Sequence, residues 1–147
     1  MGLRVSEVVN LRCRDISFSN LNIRVVDGKY NRDRDIPIPP FMLEILDRWN
    51  EIRPKSEWFF CTLKGGKLKV RYIQAMVERY SKKAGIDKRV SPHTLRHTFA
   101  TDFYRQTLKL EELRKLLGHA DLSTTQIYVN LAGVDIKNAM NGYKGQI

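Results

Sequence analysis

The spacing of apolar residues changes once along this chain, and that change restricts what the chain can fold into. From Leu21 to Val26, and again from Asp35 to Ile38, apolar and polar residues alternate in steps of two. Beyond Pro39-Pro40 the apolar residues recur in steps of three and four. Steps of two send neighbouring side chains to opposite faces of a strand, whereas steps of three and four gather them on one side of a helix. The chain must therefore combine a small sheet with a set of helices. The polar stretch Asp27 to Asp33 reads as the turn of a β-hairpin, with Lys29 near its tip. The two prolines end the second strand, because proline cannot donate to a ladder.

The helical part divides at recognisable stops. Met42, Ile45, Leu46, Trp49 and Ile52 predict one amphipathic helix. Trp58 to Cys61 reads as a short buried strand, followed by a turn at Gly65-Gly66. Val70 to Ala84 predicts a second helix, with Gly85 where a left-handed cap belongs. Ser91 is a favourable N-cap and Pro92 suits the first helical position, so a third helix should run from Pro92 to about Gln106. Leu95, Phe99 and Phe103 form its expected apolar stripe, with His93, Arg96, Ala100 and Tyr104 on a neighbouring face. Leu110, Leu113, Leu116 and Leu117 predict a fourth helix closed by Gly118. Ser123 to Gln126 reads as a capping box that starts a helix carrying Tyr128, and a short helix is expected over Val134 to Met140. Ser6 to Leu11 reads as the rest of a helix at the other end of the chain. The expected fold is a mainly helical α+β domain with a small antiparallel sheet near the N-terminus. At 147 residues it suits one domain with a real core.

Charge narrows the class of partner. Lysine and arginine number 26 against 16 acidic residues, a net charge of +10. Such a surplus favours a polyanion, because each phosphate that is neutralised releases counterions. Lys64, Lys67, Lys69 and Arg71 cluster beside the two glycines, and Lys82 and Lys83 flank Gly85. These are the candidate phosphate contacts, with a steeply salt-dependent affinity expected. Cys13 and Cys61 lack zinc-type spacing and read as reduced, packed residues of an intracellular protein. No apolar run is long enough to span a bilayer.

A smaller set of residues suits phosphoryl transfer without a metal. The phosphate oxygens need a fixed cationic clamp as charge develops on them. Arginine is permanently charged, planar and able to bind bidentately, and Arg4 and Arg96 are the candidates. Tyr128 offers a hydroxyl that can form a phosphoester. His93 and His119 can donate hydrogen bonds or move protons near neutral pH. Lys29, on the hairpin, is placed to protonate a leaving oxygen. Taken one at a time, each residue has an ordinary structural explanation: a solvated arginine, a hairpin-tip lysine, a histidine at a helix end, a core tyrosine. Their order and their caps make coincidence a poor account of the set. A zinc site is the chemical rival, since His93 and His97 stand four apart and His119 could be a third ligand. Thr94 replaces the glutamate of a helical metalloprotease pair, and Arg96 between the histidines would repel a dication.

The segments Gly2-Leu3-Arg4-Val5-Ser6-Glu7, Gly28-Lys29-Tyr30-Asn31-Arg32-Asp33-Arg34, His93-Thr94-Leu95-Arg96, Leu117-Gly118-His119 and Tyr128 resemble, in this order, the tyrosine recombinase (phage integrase) family in its catalytic domain. The resemblance implies that Arg4, Lys29, His93, Arg96 and His119 are catalytic and that Tyr128 is the nucleophile. It implies attack on double-stranded DNA, a 3′-phosphotyrosyl intermediate, a free 5′-hydroxyl, and no metal or nucleotide cofactor. Glu7 matches an acidic position that supports the site. Tyr30 stands where the family often has glycine. A type IB topoisomerase shares the chemistry, but the Leu-Gly-His and Gly-Leu-Arg-x-Ser-Glu contexts point to recombinases.

Family members usually carry a core-binding domain and further helices ahead of the first arginine, whereas here that arginine is the fourth residue. The expectation is therefore a catalytic domain over residues 1–147, truncated at its N-terminus and without the core-binding domain. A non-catalytic DNA-binding remnant is the alternative. Self-association is also expected: a tetrameric synapse by family resemblance, or a dimer that hides core surface. Val134, Ile136, Ala139 and Met140 are a candidate apolar contact. The expected location is the cytoplasm, in association with the nucleoid.

Overall fold

The computed structural model describes residues 1–26, 33–118 and 140–141. Within it the alternating runs pair as their pattern predicts. Strands β1 (Ile16–Ser17), β2 (Asn22–Val25) and β3 (Arg34–Pro37) form an antiparallel sheet in the order β1-β2-β3. Ile23 pairs with both Ile16 and Ile36, and Val25 pairs with Arg34. Alternation then turns Ile23, Val25, Ile36 and Ile38 inward, and all four are buried. The two-residue β1 is too short to show a period, so the sequence gives no sign of it.

Among the described residues the sheet is accompanied by α-helices α1 (Val5–Asn10), α2 (Pro40–Ile52), α3 (Val70–Lys83), α4 (Pro92–Thr107) and α5 (Leu110–Leu117). The α4 start is the reciprocal box that Ser91 suggests. Ser91 Oγ accepts from Thr94 N–H at 3.2 Å, and Thr94 Oγ1 accepts from Ser91 N–H at 3.1 Å. Gly85 and Gly118 follow helices with φ of +69° and +84°, positive values that glycine adopts at low steric cost.

Two expectations need correcting. Trp58 to Cys61 is not a strand; only isolated bridges join Arg12 to Trp58 and Cys61 to Lys67. Its backbone bonds to the segment after α1, with Phe59 N–H donating to Leu11 O at 2.8 Å. The burial was foreseen correctly, since Phe59 is 1 % exposed. The second correction is the face of α4. Leu95 is 52 % exposed, whereas Arg96 and Ala100 are buried. A period counted over apolar residues misses a buried guanidinium: the inward face takes in Arg96 and Ala100 beside Phe99 and Phe103, and Leu95 falls outside it.

The core has two parts. Around the sheet, Leu11, Ile23, Ile36, Leu46 and Phe59 pack together, and Trp49 Nε1 donates to Phe59 O at 2.9 Å. Between α4 and α5, Ala100, Leu113 and Leu117 form a second cluster, with Phe99 and Phe103 against it. Leu116 packs on the first cluster and Leu117 belongs to the second, so the end of α5 joins the two. Phe59→Ala should cost about 3–5 kcal/mol, read as a shift in the urea unfolding midpoint. Cys13 and Cys61 are free thiols, Cys61 buried and Cys13 half-buried. Among the described residues no helix is long and apolar enough to cross a membrane.

Candidate active site

The site begins at the first turn of α1. Arg4 is its N-cap, with extended backbone at φ −69° and ψ 151°. Glu7, three residues on, folds back so that its Oε2 accepts the Arg4 backbone N–H at 2.7 Å. This is the carboxylate half of a capping box. Arginine has no acceptor with which to complete the other half. Instead Arg4 Nη1 donates to Glu7 Oε1 at 3.1 Å. Local helix-start chemistry therefore fixes both the backbone and the guanidinium of Arg4.

Two more arginines reach the same carboxylate from distant parts of the chain. Arg34, at the start of β3, binds it bidentately: Nη1 to Oε1 at 2.8 Å and Nη2 to Oε2 at 3.0 Å. Its Nε donates to Leu116 O at 2.7 Å. Arg96, from α4, brings Nη1 to 3.9 Å from Glu7 Oε2. It donates to Gly2 O through Nη1 and to Leu117 O through Nη2, the latter at 2.8 Å. The last carbonyls of α5 thus receive two cationic donors, at the helix end where positive charge is favoured.

Burial sorts the three arginines. The side chains of Arg34 and Arg96 are 9 % and 8 % exposed, and that of Arg4 is 28 % exposed. Three guanidiniums gather around one carboxylate in a shielded place, where charges interact more strongly than in water. Burial by itself would raise the Glu7 pKa. The Arg34 hydrogen bonds, the Arg4 backbone N–H and the charges of both arginines outweigh burial and hold the carboxyl below its usual range.

The structure thus brings Arg4, Glu7 and Arg96 together from opposite ends of the chain. His93 lies in the first turn of α4, three positions before Arg96, with an exposed side chain. Lys29, His119 and Tyr128 lie outside the described residues. So do Val134, Ile136 and Ala139 of the candidate apolar contact, and the predicted capping box at Ser123. Gly118, which leads to His119, is described, and it follows the two carbonyls that Arg34 and Arg96 bind. Among the described residues no group of three His, Cys, Asp or Glu is placed to hold a metal.

Arg34 is the residue that sequence reasoning missed. Its signal was present, because Arg34, Ile36 and Ile38 are in phase and the two isoleucines point inward. A charged residue on the buried phase of a strand implies a buried partner. Of the candidate phosphate contacts, Lys64, Lys69 and Arg71 are exposed. Lys67 lies 4.3 Å from the Trp58 ring centroid and bonds to Asn10. Lys82 pairs with Glu78 at 2.8 Å, and Lys83 lies 5.6 Å from the Tyr80 ring centroid. These partners neutralise part of the Lys82 charge and set the direction of Lys67.

Comparison with known proteins agrees with this geometry. Residues 1–133 match the family model described as the phage integrase family, a span that takes in Lys29, His119 and Tyr128. The chain is 37 % identical over 134 residues to tyrosine recombinase XerC of Actinobacillus pleuropneumoniae, covering 88 % of this chain and 44 % of that protein. The crystal structure of XerA recombinase matches with a TM-score of 0.84 at 30 % identity, over 99 % of this chain and 55 % of the other. XerH recombinase in a post-cleavage complex with a palindromic difH substrate matches with a TM-score of 0.77 at 31 % identity, over 95 % and 41 %. The chain spans about half the length of the curated relatives it matches. With its motifs in family order and three of them gathered around Glu7, the chain belongs to the phage integrase family.

Proposed function

We propose that this chain is the catalytic part of a site-specific DNA recombinase that breaks and rejoins double-stranded DNA through a 3′-phosphotyrosyl intermediate. The phenolic oxygen of Tyr128 attacks a backbone phosphorus, and the bond from phosphorus to the 5′ oxygen breaks. Arg4 and Arg96 hold the phosphate oxygens as negative charge builds on them. His93 and His119 donate hydrogen bonds to the same group and take part in moving the tyrosine proton. Lys29 gives the leaving 5′ oxygen its proton. Rejoining is the reverse, with a 5′-hydroxyl as nucleophile. Every group the reaction needs is a side chain, so the proposal includes no metal or nucleotide cofactor.

The observation that carries this reading is the convergence of Arg4 and Arg96 on one buried carboxylate. Arginines 92 positions apart meet at Glu7, where the Gly2 and Leu117 carbonyls hold Arg96. Lys64, Lys67, Lys69, Arg71, Lys82 and Lys83 extend the basic surface for the flanking duplex. A synapse of several copies, action at the nucleoid in the cytoplasm, and further domains in the whole protein belong to the same proposal.

The test is covalent capture. The protein is incubated with a nicked random-sequence duplex library and denatured, and attached DNA is isolated. The expected result is an adduct that Tyr128→Phe abolishes, with the attached sequences reporting the preferred site. DNA binding with no adduct from the parent chain would instead favour the non-catalytic DNA-binding reading.

A further inference from the structure

We propose that Arg34 is a positioning residue for strand cleavage, setting Glu7, and through it Arg4, at a fixed place against the end of α5. The proposal rests on the recombinase reading for its functional consequence. Arg34 is unsuited to touch the phosphate itself. Three of its five guanidinium N–H groups are committed inside the protein, two to Glu7 and one to Leu116 O, and the two to Glu7 already pair its charge with a carboxylate. What it does is join pieces of chain that are far apart in sequence. Its partners stand 27 and 82 positions away, on α1 and α5.

Three details make the joint specific. The bidentate contact fixes the plane of the Glu7 carboxylate, so the oxygen that receives the Arg4 guanidinium and the one that receives its backbone N–H are both set. Gly118 lies against the same guanidinium, since a Cβ added there would come to 3.5 Å from Arg34 Nη1. The residue from which the chain goes on to His119 therefore rests on Arg34. Finally, Arg34 pairs with Val25 at the end of the hairpin whose connection contains Lys29. One side chain thus touches the Glu7 segment and Gly118 and sits in the strand pair that precedes and follows the Lys29 connection. Lysine cannot replace it, because a single ammonium lacks the directed fork that serves two partners in one plane.

The experiment compares the parent chain with Arg34→Ala and Arg34→Lys on the nicked duplex. The single-turnover rate of adduct formation and the DNA affinity by fluorescence anisotropy are measured side by side. Both variants are expected to lose rate on the order of 10²-fold. Affinity should change by less than about threefold, because the lost interaction is one that matters in the transition state. Millimolar guanidinium ion should restore part of the Arg34→Ala rate and none of the Arg34→Lys rate, whose ammonium fills the space. A parental rate in either variant, or affinity falling as far as rate, overturns the proposal. A second readout needs no activity. The Glu7 carboxyl, followed by ¹³C chemical shift in the parent and Arg34→Lys proteins, should titrate at higher pH in the variant. An unchanged titration overturns the positioning role. Absence of adduct from the parent chain would count against the recombinase reading alone, and the Glu7 titration would still decide the role of Arg34.

Discussion

Arg96→Ala is expected to slow covalent attachment to nicked duplex DNA by about 10²–10³-fold, the usual effect of losing one preorganised donor to developing charge. Arg96 is held before any phosphate arrives. Its guanidinium bonds to Gly2 O and Leu117 O, lies 3.9 Å from Glu7 and is almost wholly buried. Little reorganisation then remains to be done as the reaction proceeds. Arg96→Lys should behave almost like the alanine variant, since it returns the charge but not the two directed bonds. Single-turnover adduct formation at saturating protein makes the comparison. A lysine variant within about tenfold of the parent would show that positive charge alone suffices.

Glu7→Ala is expected to cost as much stability as the loss of a core aromatic, about 3–5 kcal/mol, because it removes the carboxylate that the buried Arg34 guanidinium binds bidentately. Urea unfolding at neutral pH measures it. The same group gives a pH signature whose sign is fixed by its lowered pKa. A carboxyl that titrates lower when folded than when unfolded adds stability above its unfolded value. That stability is lost as pH falls below about 4.5 and through the folded value. Glu7→Gln removes the titration but keeps the shape. The stability gap between parent and Glu7→Gln should be constant near neutrality and should narrow as pH falls below about 4.5. A gap that stays constant down that limb would mean that Glu7 is not the responsive group.

Much of this fold is legible wherever local rules and burial agree. Ser91 and Pro92 announce α4 because capping chemistry is local, and Gly85 and Gly118 announce helix ends because positive φ is costly for other residues. The hairpin is legible because its inward residues alternate with polar ones. What escaped is of another kind. Trp58 to Cys61 has strand composition, yet its backbone partners are supplied by the segment after α1, a long-range contact that no local pattern encodes. The α4 face was misread because Arg96 is buried through hydrogen bonds to two carbonyls, while Leu95 stays exposed. Within the site, Arg4, Glu7 and Arg96 were recognised as motif members, but their common centre was not visible. Arg34 closes the hairpin motif but has no role there for the same reason: its partners Glu7 and Leu116 are distant in sequence, and only the phase of β3 hints that it points inward.

The shared carboxylate also constrains how such a chain can drift. Glu7 serves Arg4 and Arg34 by direct hydrogen bonds, with Arg96 close by, and losing either Glu7 or Arg34 alone takes from the other its bidentate buried partner. Exchanging the 7–34 pair for an apolar pair would need two substitutions at once, and either one alone passes through a damaged intermediate. Lineages descended from this chain should therefore keep or lose the acid and the arginine together. Positions 7 and 34 would change as a linked pair while the exposed lysines around them varied freely.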